Sequence, residues 1–309
     1  MRYLSRGISS VLASVDDGCE VASSPSRLGT SLPRSIQNLR GEKGCADRFA
    51  VICQNPRVNV DAYLSRIGVS GPLEVTLHDL ERLQRAHLTA VPFENLDVFH
   101  RRGVQTGIEW SVPKIVTRGR GGWCFELNGA FAALLEDLGF VVTRFAATVL
   151  LPSTTASPPS TVPTHLTLEV TLDRPYLVDV GFGDSFIRPL PLTGVGPHDG
   201  GVGEFVLEFD GDVTTLFASG PDGPEPQYRF GSAPQVSADF DAASEMLQTK
   251  PGLQWTQAPF ATRLLDGGPD RVTLVHDRIK FRRDGEWTEE PVAEADWPAT
   301  LDEWFDMTP

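Results

Sequence analysis

Residues 118–128 read RGRGGWCFELN, and they separate two differently patterned parts of the chain. Apolar residues at helical spacing follow Cys124 until Gly139, so the sequence predicts a helix that begins at Cys124. A helix N-terminus offers unpaired N–H groups and the positive end of the helix dipole, and both stabilise a thiolate. Because the thiolate is the nucleophilic form of cysteine, Cys124 is a candidate nucleophile. The alternative is that Gly121-Gly122 forms a turn and Cys124 is only a small core residue.

The chain on either side of this stretch changes from helical to extended patterning. Upstream, from Asn59 onward, apolar stripes predict helices that end near Pro92. Downstream of Gly139, segments rich in Val, Leu, Thr and Phe predict strands. These segments are 141–150, 166–172, 176–180, 204–209, 213–218 and 272–276. Helices followed by closely spaced strands predict an α+β fold with an antiparallel sheet or barrel, and not alternating βαβ units.

A thiolate nucleophile requires a base and a group that orients the base. His165 lies at the entry to the predicted strand 166–172, and Asp179 lies near the end of the next one. The short turn at 173–175 between these strands predicts a hairpin that brings the two side chains together. A buried aspartate needs a partner, and a histidine provides one. Cys124, His165 and Asp179 are therefore the predicted catalytic triad, although an isolated His or Asp usually has a structural role.

Composition and charge exclude several classes of protein. The 309 residues carry a net charge of −14, which argues against a nucleic-acid partner because phosphate contacts need Lys and Arg. No apolar stretch approaches the ~18–20 residues of a membrane span. Metal-binding motifs such as HExxH and CxxC are absent, so no metal is expected. Cys124 is the one cysteine after residue 58, which suits a reducing, cytoplasmic compartment.

Residues 1–58 differ from the rest of the chain. They are rich in Ser, Arg and Gly, carry more basic than acidic side chains and contain three of the four cysteines. Their hydrophobic periodicity is weak, so the sequence predicts a poorly ordered extension here.

Three ordered motifs together resemble the arylamine N-acetyltransferase family. Residues 120–128 fit its RGGxCxExN signature, 92–95 fit its PFEN segment and 179–183 fit its DVGFG segment. The resemblance runs from about Asn59 to the C-terminus. It implies an N-terminal helical bundle over 59–140, a central β-barrel over 141–243 that carries His165 and Asp179, and a C-terminal α/β lid over 244–309.

The same resemblance implies an activity and a set of site residues. The triad would be similar to that of papain-type cysteine proteases, and acetyl-CoA would be the co-substrate that donates an acetyl group to arylamines or hydrazines. By the pattern of the family, Thr164, Gly181, Gly183 and Phe260 line the path of CoA and the acyl group. Arg120, Glu126 and Asn128 hold the helix of the nucleophile in place. A homodimer is compatible with the resemblance.

The chemistry of the triad predicts two half-reactions through an acetyl-cysteine thioester, and therefore ping-pong kinetics. One alternative is an amide synthase of the same family, which closes a macrolactam or an amide with the same triad. A second is a cysteine peptidase or a transglutaminase-like hydrolase, although the papain-type Cys-Gly-Ser/Ala-Cys pattern is absent. A third is a non-catalytic binding protein that kept the fold, which the complete triad argues against.

Overall fold

The structure is a computed structural model that describes residues 58–150, 162–194, 196–220 and 223–308. The extension predicted over residues 1–58 lies outside the described residues, except for Val58. This residue is buried, and its N–H donates to Asp137 Oδ2 at 2.7 Å. The chain therefore has tertiary contacts from Val58 onward.

The first part of the described chain is helical. Its helices are α1 (Val60–Arg66), α2 (Leu77–Ala90), α3 (Leu96–Phe99), α4 (Ile108–Val112) and α5 (Cys124–Asp137), with a π-helical turn at Pro113–Thr117. Side chains cap the first two helices, since Asn59 accepts from the Ala62 N–H and Thr76 accepts from the Asp79 N–H. The helix predicted to begin at Cys124 is confirmed. It is buried along most of its length and forms the centre of the largest hydrophobic core.

The second part is an antiparallel sheet of eight strands that nearly closes into a barrel, in the order β5-β4-β3-β2-β9-β8-β7-β6. The strands are β2 (Val141–Val149), β3 (His165–Thr171), β4 (Pro175–Val178), β5 (Leu190–Pro191), β6 (Pro197–Asp199), β7 (Glu204–Asp210), β8 (Val213–Gly220) and β9 (Gly223–Gln235). Strands β3 and β4 form the predicted hairpin, in which Leu168 pairs with Val178. The long-range pair β2–β9 joins the two halves of this sheet.

The third part is a sheet of five antiparallel strands in the order β1-β10-β11-β12-β13. These are β1 (Phe93–Glu94), β10 (Phe260–Leu264), β11 (Arg271–Val275), β12 (Arg278–Arg283) and β13 (Glu286–Pro291). Helix α6 (Asp241–Thr249) precedes the sheet, and helix α7 (Trp297–Phe305) packs against one of its faces. A domain division at residue 243 would therefore cut through α6.

Strand β1 connects the first part of the chain to the third. Phe93 pairs with Thr262, and Glu94 pairs with Ala261. Since adjacent strand residues point to opposite faces, Phe93 faces the core that contains Cys124 and Glu94 faces the other side. The observed architecture is of the predicted α+β class, with helices first, a barrel in the middle and a sheet with helices at the end. None of the helices in the described chain is long and apolar enough to span a membrane.

Candidate active site

Cys124 is the first residue of α5, and the chain reaches it through two glycines that packing requires. A Cβ on Gly121 would lie 2.0 Å from the Pro92 carbonyl oxygen, and one on Gly122 would lie 2.6 Å from a carboxylate oxygen of Glu126. The Cys124 side chain is buried, and its Sγ lies 3.9 Å from the Thr164 carbonyl oxygen. The Gly-Gly pair therefore lets the start of the helix pack closely against the PFEN segment.

His165 and Asp179 meet beside this cysteine. The Nε2 atom of His165 lies 2.6 Å from Asp179 Oδ2, and both side chains are almost fully buried. The prediction that Asp179 lies within a strand is wrong, because β4 ends at Val178. Asp179 Oδ1 accepts from the Gly181 N–H at 2.9 Å, and this contact turns the chain out of the strand. The prediction that the hairpin brings the two side chains together is confirmed.

The environment favours the charged form of both partners. Burial lowers the pKa of His165, but the Asp179 carboxylate and its hydrogen bond, together with Cys124, raise this pKa to about 10. Burial raises the pKa of Asp179, but His165 and the hydrogen bonds from Asn128 and Gly181 lower it below its usual value. Because Asp179 occupies Nε2, the Nδ1 atom of His165 is the nitrogen left to exchange a proton with the Cys124 thiol.

Two further side chains lie beside Asp179. Asn128, one helical turn after Cys124, donates from Nδ2 to Asp179 Oδ1 at 2.9 Å and to the Leu166 carbonyl at 2.6 Å. Its Oδ1 accepts from the Val180 N–H at 2.9 Å. Tyr228 on β9 lies near Asp179, and burial and that carboxylate raise the pKa of its hydroxyl.

Sequence reasoning assigned Asn128 only to holding the helix, and it missed Tyr228. The position of Asn128 on the same helix face as Cys124 was a usable signal, since residues four apart are neighbours on a helix. Tyr228 gave no local signal, because only the folded sheet, in which β3 and β9 flank β2, brings its hydroxyl within 3.2 Å of Thr167 on β3.

Four aromatic side chains pack in the hydrophobic core that contains Cys124, on the side of the C-terminal sheet. We call them the aromatic wall; they are Phe93, Trp123, Trp255 and Phe260. The ring of Phe93 lies 5.9 Å from those of both Phe260 and Trp255, and Trp123 lies 6.4 Å from Trp255. The sequence singled out Phe260 among them and missed Trp123 and Trp255. Aromatic rings of this kind pack well against flat apolar groups.

The other residues that the family pattern assigned to the acyl path also lie close to this region. A Cβ on Gly181 would lie 2.8 Å from Cys124 Cα, so no larger residue fits there. Gly183 has a φ of +97°, a conformation that favours glycine, and a Cβ there would point towards Phe93. The structure thus brings Thr164 and Gly181 beside Cys124, and Gly183 and Phe260 beside Phe93.

A buried ionic cluster lies at the start of α5. We call it the Lys114 cluster; its members are Lys114, Arg120, Glu94, Asp97 and Glu126. Lys114 Nζ lies 2.9 Å from a carboxylate oxygen of Glu126 and 2.8 Å from one of Asp97. Arg120 Nη2 donates to Glu94 at 2.7 Å, and Glu126 accepts from the Trp123 N–H at 3.1 Å.

Lys114 stays charged because three carboxylates surround it. Burial lowers the pKa of Lys114, but the carboxylates of Glu94, Glu126 and Asp97 raise it above its usual value. The cluster joins the PFEN segment to the RGG signature, and it fixes the chain that leads into α5. Sequence reasoning identified Arg120 and Glu126 as holding this helix but missed Lys114. Among the residues that the structure describes, no group of three or more His, Cys, Asp or Glu side chains could hold a metal ion.

Comparison with known proteins agrees with the fold and the motifs. The family model described as N-acetyltransferase matches residues 76–308. The arylamine N-acetyltransferase of Escherichia coli K12 is 33% identical over 226 residues, which are 69% of this chain and 76% of that protein. The solved structure of Mycobacterium marinum arylamine N-acetyltransferase in complex with CoA is 30% identical with a TM-score of 0.74, over 81% of this chain and 93% of that one.

The Salmonella typhimurium arylamine N-acetyltransferase structure superimposes similarly, with 28% identity and a TM-score of 0.76 over 80% of this chain and 90% of that one. The chain therefore belongs to the arylamine N-acetyltransferase family. It is an acyltransferase of that type.

Proposed function

We propose that Cys124, His165 and Asp179 form a catalytic triad that moves an acetyl group from acetyl-CoA to the amino group of an arylamine or hydrazine. The observation that carries this proposal is the buried His165–Asp179 contact of 2.6 Å beside a cysteine that begins a helix. A buried aspartate fixes the ring and tautomer of the histidine and stabilises its imidazolium form.

The first half-reaction acylates the enzyme. His165 takes the proton of the Cys124 thiol through Nδ1, and the resulting thiolate attacks the carbonyl carbon of the thioester. N–H groups at the start of α5 stabilise the oxyanion that forms. The carbon–sulfur bond to CoA breaks, and CoA leaves with a proton returned by His165. An acetyl group then remains on Cys124 as a thioester.

The second half-reaction transfers the acetyl group to the amine. The amine attacks the carbonyl carbon of the Cys124 thioester while His165 accepts its proton. The carbon–sulfur bond to Cys124 breaks, the acetylated amine leaves, and His165 returns the proton to the Cys124 thiolate. Because the two substrates react in turn with one covalent intermediate, the kinetics are ping-pong.

The aromatic wall supports an arylamine as the acceptor. Phe93, Trp255 and Phe260 offer ring faces and edges to a flat substrate next to the thiol. The names of the relatives in Escherichia coli and Mycobacterium marinum give the same acceptor class for those proteins. Thr164, Gly181, Gly183 and Phe260 line the path of the acyl-CoA donor in this proposal.

The proposal also includes the compartment and the partners of the enzyme. We place it in the cytoplasm, with an acyl-CoA and a small amine as partners and with no metal, nucleic acid or membrane required. The proposal is compatible with a homodimer and with a monomer, because each chain carries all three triad residues.

Intact-mass spectrometry after mixing the enzyme with acetyl-CoA and no amine tests the intermediate. The wild type should gain the mass of one acetyl group, on Cys124, and Cys124→Ala should gain none while keeping its circular dichroism spectrum. Acetylation at another residue, or amine acetylation by folded Cys124→Ala, would refute the mechanism.

A substrate panel then identifies donor and acceptor. CoA release from acetyl-, propionyl- and malonyl-CoA is measured with aniline-, hydrazine- and aminophenol-type amines. Release that depends on both acetyl-CoA and an aromatic amine supports the proposal. An enzyme that ignores all three short donors but acylates Cys124 from a larger carrier-bound chain would be the amide synthase instead.

A further inference from the structure

A cavity of about 660 Å³ lies at one end of the C-terminal sheet, away from the proposed triad. Its apolar walls come from α3, from the segment after β13 and from α7. They comprise Leu96, Phe99, Val292, Trp297, Pro298 and Leu301. A volume of this size is in the range of pockets for small molecules, roughly 300–1,000 Å³, and is too small for a macromolecule.

The cavity is separate from the candidate active site. Of the described residues that line it, none belongs to the triad or to the aromatic wall. Leu96, Trp297 and Leu301 pack in the core between the sheet and α7, whereas Cys124 and Phe93 pack in the core on the other side. The sheet and the PFEN segment therefore lie between the two sites.

Arg120 gives the cavity a buried cation. The residue lines the cavity, and only 9% of it is exposed. Its Nη2 donates to Glu94 at 2.7 Å and lies 3.5 Å from Asp97, but its Nε has no hydrogen-bond partner among the described residues. A buried donor without an acceptor is unusual in a folded protein, and a ligand oxygen would satisfy it.

The rim of the cavity adds further donors. Arg102, His100 and His276 line it and are exposed. Two acidic residues also line it: Asp277, whose carboxylate pairs with Arg278 at 2.9 Å, and Glu294, which is exposed.

A ligand that suits both the apolar walls and the buried Arg120 has a flat apolar body and an anionic group that accepts from Arg side chains. A guanidinium presents its donors as a planar fork that matches a carboxylate. Trp297 and Phe99 provide surfaces for an aromatic ring. We propose that this cavity is a second ligand site, and that it binds a small aromatic carboxylate with its ring against Trp297 and its carboxylate towards Arg120.

Fluorine NMR with para-fluorobenzoate tests the proposal on the full chain. The probe should bind saturably at one site. The neutral isostere para-fluorobenzamide should bind at least tenfold more weakly, because it lacks the anionic oxygens. Equal affinity for the amide would overturn the assignment of an anion site.

A pair of alanine variants locates the binding. Ala293 lines the cavity and is exposed, so Ala293→Trp should fill the cavity and weaken binding of para-fluorobenzoate at least tenfold. Ala295 is also exposed and lies two residues away, outside the lining, so Ala295→Trp is the matched control and should bind as the wild type does. Unchanged binding in Ala293→Trp, or equal loss in both variants, would overturn the proposal.

The test is independent of the proposed catalytic function. It is repeated with Cys124→Ser, in which no acyl transfer takes place. Binding that survives in Cys124→Ser and is lost in Ala293→Trp supports the second site, whatever the triad does. Binding that is unaffected by Ala293→Trp but is displaced by CoA would place the probe in the active site and refute the second site.

Discussion

Two histidines are buried to the same extent in this protein, and their surroundings drive their charge in opposite directions. His87 on α2 is 0% exposed and packs between Tyr63 and Phe131, with its Nε2 atom 3.0 Å from the Tyr63 hydroxyl. Burial and the nearby charge of Arg66 lower the pKa of His87 to about 3. His165 on β3 is 2% exposed, and its pKa is raised to about 10.

The difference shows that burial alone does not decide what a core histidine does. Desolvation disfavours the imidazolium at both positions. At His165 the carboxylate of Asp179 and its hydrogen bond outweigh that cost, whereas His87 has only a neutral hydroxyl partner. The helical part of the molecule thus contains a neutral structural histidine, and the barrel contains a charged one that is able to exchange a proton.

The largest expected effect is on the rate of Cys124 acetylation, and it should differ between variants of these two histidines. His165→Gln should reduce the rate of Cys124 acetylation on the order of 10²–10⁴-fold, which is the usual contribution of a general base. His87→Gln, the matched buried control, should leave the rate per folded molecule within a few-fold of wild type. Rapid-mixing mass spectrometry of the acetyl-enzyme measures both. Similar losses in the two variants would remove His165 from its proposed role.

Lys114 extends the comparison to a buried cation that remains permanently charged. Lys114→Met leaves the carboxylates of Glu94, Asp97 and Glu126 buried without their central cation, and should lower the free energy of unfolding by ~3–5 kcal/mol. Urea unfolding followed by circular dichroism measures the change.

The control for Lys114 is Arg102, which contacts the same Asp97 carboxylate from a 51% exposed position. Arg102→Gln should cost at most ~1 kcal/mol, as exposed ion pairs do. If Lys114→Met costs no more than Arg102→Gln, the Lys114 cluster does not stabilise the fold.

The pH dependence of stability should differ in sign between the two histidines. Because the pKa of His165 is raised from 6.5 to about 10, its contribution is fully present below pH 6.5 and is lost as the pH rises through about 10. The Tm difference between wild type and His165→Gln should therefore shrink between pH 7 and 10. The pKa of Asp179 is lowered, so its contribution is lost only on the acid side.

His87 should show the opposite pH dependence of stability. Its pKa is lowered from 6.5 to about 3, so the folded state resists protonation and wild type loses stability relative to His87→Gln as the pH falls below 6.5. Above pH 7 this difference should be constant. Melting curves of the three proteins from pH 4 to 10 test both statements, and a His165→Gln difference that is flat up to pH 10 would contradict the raised pKa.

The smallest expected effect concerns Tyr228. Tyr228→Phe removes a polar hydroxyl near the Asp179 carboxylate, and one hydrogen-bonding group contributes ~0.5–1.5 kcal/mol net, so the acetylation rate should fall by a few-fold to about tenfold. Thr167→Val removes the hydrogen-bond partner of the Tyr228 hydroxyl, 3.2 Å away, and should change the rate less. A larger loss in Thr167→Val would mean that Tyr228 acts through packing and not through Asp179.

Particular residues show how far sequence reasoning reached. Cys124 could be predicted as the start of a helix because glycines and apolar spacing are local signals. The nearness of His165 and Asp179 could be predicted because a short turn connects their strands. The end of β4 before Asp179 could not, since a side-chain hydrogen bond to Gly181 competes there with strand pairing.

Sequence reasoning missed four other residues for a different reason: Lys114, Tyr228, Trp123 and Trp255. Each acquires its role from partners that are distant along the chain, such as Asp179 for Tyr228 and Glu94 for Lys114. Their own neighbours in sequence show only ordinary helix, strand or loop patterns. The pairing of β1 with β10, which joins Glu94 to the C-terminal sheet, is of the same kind.

Local patterns along the chain are enough to predict the family motifs, the α+β order of the elements, the helix that begins at Cys124 and the three residues of the proposed triad. The folded chain is needed to show which strands meet, which ions surround Lys114 and which of two buried histidines carries a charge. Helix starts and short turns depend on residues a few positions apart. The charge of a buried group depends on every dipole and ion that the whole fold brings within a few ångströms of it.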